Sequence, residues 1–146
     1  MNNFYVFIVF THVLSAVVSV GPLFALFAVL KKMPEADLTT EKAYISIFRS
    51  VVRLIKHAGH VLVVTGILLV YLGNWPWTTP WIFMTIALMI VSVFILASSY
   101  KGVLKQFDDP NKDRSILIFK LRKATWVYIA ILSTMLALMV IKPTFW

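Results

Sequence analysis

The chain contains no cysteine. Disulfides, thiolate metal sites, iron–sulfur clusters, cysteine nucleophiles and CxxCH haem attachment are therefore excluded. Acidic residues are nearly as scarce. All six, Glu35, Asp37, Glu41, Asp108, Asp109 and Asp113, lie in or beside two polar connectors. That placement argues against a carboxylate-driven proton pump or a carboxylate-bridged di-iron site within apolar helices. There is no phosphate loop, no HExxH and no defensible nucleophile–base pair. No basic segment precedes the first apolar run; Lys31 and Lys32 follow it, which makes that run a poor signal peptide. Charged residues make up only 14% of the chain, where a soluble domain carries about 25%.

What is present is apolar surface. Sixty per cent of the 146 residues are hydrophobic, and the mean hydropathy is +0.87. Such a chain has the size of one small bundle and an excess of apolar area that only lipid can cover. Four runs are long enough to cross the roughly 30 Å hydrocarbon core, over about 4–30, 54–72, 81–100 and 124–141. The expected fold is all-α: a single integral membrane domain over 1–146, built as a four-helix transmembrane bundle. Gly21-Pro22 is expected to kink the first helix. Pro34 breaks the chain after it, and Thr39 or Thr40 is placed to cap a second helix beginning near Glu41. Trp75, Trp77 and Trp81 read as an interfacial belt, and Trp126 and Trp146 as the two interface markers of the last span. The segment 101–114 reads as a second polar connector, with a fourth helix starting near Asp113 or Ser115.

The net charge is +8, but it does not point to nucleic acid. Thirteen of the fourteen basic residues surround the two connectors, and only Lys142 lies elsewhere. The positive-inside rule then places both connectors in the cytoplasm and both termini outside a plasma membrane.

Three histidines carry what chemistry the sequence offers. His12 lies within the first apolar run; His57 and His60 lie where the basic stretch Arg49–Arg53–Lys56 turns apolar. Ionisable residues inside a membrane are costly without a partner and mark functional sites. Helical rise puts His12 and His60 within about 5 Å of the same depth on antiparallel neighbours, and facing histidines are how bundles hold haem or metal. His57 is the substitute one turn away, and Arg53 is placed to hold a propionate or an anionic head group. The competing reading is that each imidazole hydrogen-bonds a neighbouring hydroxyl or carbonyl and only packs. Met135 and Met139 have thioether-ligand spacing but also the spacing of core filler, as do Met84 and Met89. Ser15, Ala16 and Ser19 share a face with His12, a small polar stripe of the kind through which membrane helices pack.

The stretch Thr11-His12-Val13-Leu14-Ser15-Ala16-Val17-Val18-Ser19-Val20-Gly21-Pro22 resembles the opening of a family of small, uncharacterised four-helix bacterial integral membrane proteins. More loosely it is similar to the CopD copper-resistance membrane domain and to HemJ-type protoporphyrinogen oxidases. There a histidine early in the first helix is followed about nine residues later by a small residue, here Gly21, and the stretch 53–71 with Gly66 also fits. The oxidase-like pattern implies haem ligation or porphyrinogen oxidation at His12; the CopD-like pattern implies copper handling.

The leading functional expectation is a b-type haem protein. His12 and His60 ligate the iron between the first two helices, as they would a metal, for electron transfer to a membrane redox partner or quinone, or for haem handling. The alternatives are a non-catalytic subunit or accessory protein of a larger membrane complex, and a small metal or solute transporter working as a homo-oligomer. The topology is directly testable. A reporter active only in the cytoplasm, fused after Trp146, is expected to be silent, and a bright signal would reverse the orientation.

Overall fold

The computed structural model describes residues 3–144, so Trp146 lies outside the described residues. Four long helices follow one another. α1 (Asn3–Lys32) ends in a short 3-10 turn, Met33–Glu35, with Pro34 in that turn. α2 spans Leu38–Leu72. α3 is one rod, Pro80–Gln106: α-helical over Pro80–Ile95, π-helical over Leu96–Tyr100, and α-helical again over Lys101–Gln106. α4 spans Arg114–Ile141. Each rod is long and apolar enough to cross a membrane.

Several boundaries differ from the sequence expectation. α2 starts three residues before Glu41. Asp37 takes the extended N-cap position, so Thr39 and Thr40 lie inside the first turn. The Thr40 hydroxyl beside Asp37 holds that carboxyl below its ordinary range. α1 runs as one helix through Gly21-Pro22, as its single apolar run over 4–30 implies, and Pro22 lacks the N–H that would bond one turn back. α3 does not stop at Tyr100. Val103, Leu104 and Phe107 extend its buried stripe, and that burial carries the helix to Gln106 and shortens the second connector. Asp113 caps α4, accepting from the Ser115 backbone N–H at 2.9 Å and from its hydroxyl at 2.7 Å, and those bonds lower its pKa.

The helices pack in a row. α1 lies along α2 on one side and α4 on the other, and α4 carries α3. On α1 the buried residues Ile8, Ser15, Ala16, Ser19, Leu23, Leu26 and Leu30 fall on one helical face. The opposite face is equally apolar but exposed, with Phe7, Phe10, Val17 and Phe24 turned outward. That is the signature of a helix with lipid on one side. Lipid tails are as apolar as leucine, so close packing rather than water exclusion joins such helices.

Both connectors lie at one end, where charge ties the two hairpins together. Arg49 on α2 donates to both carboxylate oxygens of Asp108, at 2.8 and 3.0 Å, and to the Leu104 carbonyl at 3.1 Å. Arg114 at the start of α4 donates to Glu41, whose side chain is buried. Just above, Phe48 of α2 meets Tyr100 of α3 at 5.7 Å, and Tyr100 meets Tyr128 of α4 edge-on at 5.9 Å. At the opposite end Lys142 lies over the rings of Trp75 and Trp81, 5.3 and 5.8 Å from their centroids. The two ion pairs differ in burial, and so in worth. Glu41→Gln leaves a half-buried guanidinium without its charge partner and is expected to cost about 1.5–3 kcal/mol. Asp108→Asn breaks an exposed pair and is expected to cost under about 1 kcal/mol. Thermal unfolding in detergent checks the order of the two variants.

Candidate functional site

His12 is held by α2, and the residues that hold it are Thr65 and Gly66. Its Nδ1 lies 2.9 Å from the Thr65 hydroxyl. That hydroxyl has one proton and can donate it to its own helix, with the Val61 carbonyl at 2.7 Å and the Leu62 carbonyl at 3.1 Å. With that proton on its own helix the oxygen accepts from His12 Nδ1; with the other tautomer the hydroxyl donates to Nδ1 instead, and the Leu62 carbonyl also bonds the ring. Gly66 makes room for the ring: a Cβ there would stand 3.2 Å from His12 Cε1 and 3.8 Å from Nδ1. One turn further along α1, Ser15 donates to the His12 carbonyl at 2.8 Å, and Ser19 to the Ser15 carbonyl at 2.8 Å. Both serines and Ala16 are buried, so the small face expected from the sequence is a helix–helix contact. Beside it, Ala16, Ser19, Leu62, Met135 and Met139 line a narrow crevice between α1, α2 and α4. Its volume is about 10 Å³, against about 300 Å³ or more for a small-molecule site.

His60 is not brought to His12. At 3.6 residues per turn it lies about 140° around α2 from Thr65 and roughly 8 Å nearer the basic end. Ile55, Ala58 and Thr65 are buried on the α1 side, whereas Arg53, Lys56, His57, His60 and Val64 are exposed on the other. The expectation that His12 and His60 face each other within one chain is thus corrected by helix rotation. Equal depth was a fair estimate, but the five-residue offset turns His60 to the far side. His57 and His60 instead stand together on that outer stripe, ring centroids 6.3 Å apart and nearly perpendicular. Neither has a hydrogen-bonding partner among the described residues. Arg49 is committed to Asp108, leaving Arg53 as the exposed cation one turn from His57. Among the described residues no three His, Cys, Asp or Glu side chains converge as a metal cluster.

One polar cluster was not anticipated. Tyr100, fully buried, donates to the Thr125 hydroxyl at 3.0 Å, and Thr125 donates to the Leu121 carbonyl at 2.8 Å. Tyr128 and Ser92 add a second hydroxyl contact between α4 and α3. Tyr100 stands beside Lys101, which in sequence suggests an interface tyrosine. The π turn over Leu96–Tyr100 inserts an extra residue per turn and coincides with its inward placement.

A family model matches residues 6–143. The chain belongs to the DUF2269 family of predicted integral membrane proteins. With four candidate spans, this DUF2269 chain is a multi-pass membrane protein. No curated protein and no solved structure matches it, so the likeness to CopD and HemJ-type proteins stays a likeness of the residues around His12 and Gly21.

The His12 seam makes two variants informative. Thr65→Val keeps the shape and removes the hydroxyl, leaving the Leu62 carbonyl as the partner of His12 on α2, at an expected cost of about 0.5–1.5 kcal/mol. Ser19→Leu overfills the crevice side of α1, at an expected cost of about 1–3 kcal/mol. Melting temperatures in detergent equal to that of the parent would place both residues against lipid.

Proposed function

We propose that this DUF2269 protein is a non-catalytic membrane subunit that works within an assembly, with the outer stripe of α2 as the face it offers. The observation that carries this reading is the exposure of His60 at hydrocarbon depth. His60 lies twelve residues from the end of α2 at Leu72, about 18 Å by helical rise, which is inside a core of about 30 Å. A polar ring facing lipid there is unfavourable, and another membrane span relieves the cost by covering it. The two connectors are cytoplasmic in this reading and the termini outside, because the basic residues gather at the connector end. Arg53 and Lys56 then extend toward anionic head groups at the cytoplasmic surface.

A photo-reactive residue in place of exposed Val64, one turn from His60, tests the reading in native membranes. Irradiation is expected to give a covalent protein product heavier than the monomer. Cross-linking to lipid alone would overturn it.

A second reading keeps b-type haem. It is favoured by the contacts of His12: a histidine held at Nδ1 by a hydroxyl and by a backbone carbonyl has the kind of support that orients iron-ligating histidines. His12 would supply one axial position; His60, on the opposite face, would not supply the other in the same chain. Protein from haem-supplemented cells should then show the sharp visible bands of low-spin haem, lost in His12→Ala. A colourless, normally folded protein rules this second reading out.

A further inference from the structure

We infer that His57 and His60 form half of a transition-metal site that a second copy of this chain completes. The inference deepens the assembly reading and rests on it, naming both the partner and what lies between the copies.

The pair has ligand geometry. The residues are three apart on one helix, so both rings leave the same face. Two imidazoles sharing one zinc-like ion, with metal–nitrogen bonds of about 2.0–2.1 Å, have ring centroids about 5–6 Å apart. The observed 6.3 Å needs only a small rotation of two exposed rings. Neither ring is committed to a hydrogen bond among the described residues, so each keeps a nitrogen lone pair to give. Neutral imidazole suits zinc, copper and nickel, and with no cysteine in the chain no thiolate competes.

Two ligands do not fill a tetrahedral site, and among the described residues no third His or carboxylate of the same chain joins them. Membrane topology says where the others come from. Copies of one sequence insert with the same orientation, so a two-fold axis between them runs along the bilayer normal. Every residue of one copy then lies at the depth of its equivalent in the other. A dimer through the outer face of α2 sets His57 and His60 against their own counterparts, four imidazoles at one level. Val61, Val64 and Ile67 are exposed on the same side of α2 toward its other end and supply an apolar seam. The cations Arg53 and Lys56 lie toward the basic end, and their long side chains extend away from the metal to the membrane surface. No carboxylate stands on this face, so the site takes its ligands entirely from nitrogen.

Cobalt(II) is the probe, because a four-coordinate nitrogen site gives it intense visible bands. Purified protein in mild detergent is titrated with cobalt(II), and its mass is followed by native mass spectrometry. The expected result is a visible band saturating at one cobalt per two chains, carried by a species of twice the monomer mass. His57→Ala and His60→Ala each remove the band while leaving the metal-free melting temperature unchanged, since both rings are exposed. Absence of the band from the parent protein, or saturation at one cobalt per monomer, would overturn the inference. The photo-cross-link at position 64 separates this failure from that of the assembly reading. A product of twice the monomer mass without the cobalt band sinks the metal site alone. A product containing a different protein sinks the second-copy partner but leaves the assembly standing. Lipid adducts only would sink both.

Discussion

A polar side chain that enters hydrocarbon has to meet its hydrogen-bonding partner there, because no water will replace it. The arrangement of this protein follows from how its few intramembrane polar groups meet that demand. Most of the hydroxyls turn back on their own helix: Ser15, Ser19, Thr65, Ser92 and Thr125 each donate to a carbonyl three or four residues earlier. An oxygen so employed still accepts from elsewhere. Thr65 uses that capacity to hold His12 across the α1–α2 seam, and Thr125 uses it to hold Tyr100 across the α3–α4 seam. Each hairpin thus has one cross-helix hydrogen bond built on a threonine already satisfied by its own backbone.

The rest of the fold arranges itself around these two seams. Gly66 is small where the imidazole must lie close, and Ser15, Ala16 and Ser19 let α1 settle between α2 and α4. The hairpins are joined at the connector end by Glu41–Arg114 and Arg49–Asp108, and by the Phe48–Tyr100–Tyr128 contacts. At the far end Lys142 over Trp75 and Trp81 brings the end of α4 to the α2–α3 turn. The face of α2 turned away from α1 and from these connector-end contacts stays uncovered. That face holds the chain's two remaining histidines, and this is the reason the functional question moves from the interior of one chain to the contact between chains.

The number of helices and the approximate place of each span were legible in the sequence because lipid imposes a simple rule: a span needs about twenty apolar residues, and charges must gather outside it. The confinement of the basic residues to two connectors, the Asp113 start of α4 and the packing face at Ser15, Ala16 and Ser19 all follow from composition and the 3.6-residue period. The same rule hid what came next. Where every side of a helix is apolar, as along α1 and α4, periodicity does not say which side meets a neighbour. The π turn that accompanies the burial of Tyr100 leaves no mark in composition, and the helical stretch through Gln106 has the look of a connector in sequence because Lys101 and Lys105 mask the buried Val103 and Leu104.

The histidines show the division most clearly. Composition and helical rise are enough to place three imidazoles in the membrane-crossing region, with no acid or thiol beside them, and to put His12 and His60 near one depth. Depth can be read this way because rise per residue is nearly constant in any helix. Direction comes from packing, because the rotation of α2 about its axis is set by which residues pack best against α1. Thr65 and Gly66 won that contact: one hydrogen-bonds the imidazole and the other yields the space the ring needs. Choosing them turned His60 outward beside His57 and left His12 alone in the seam.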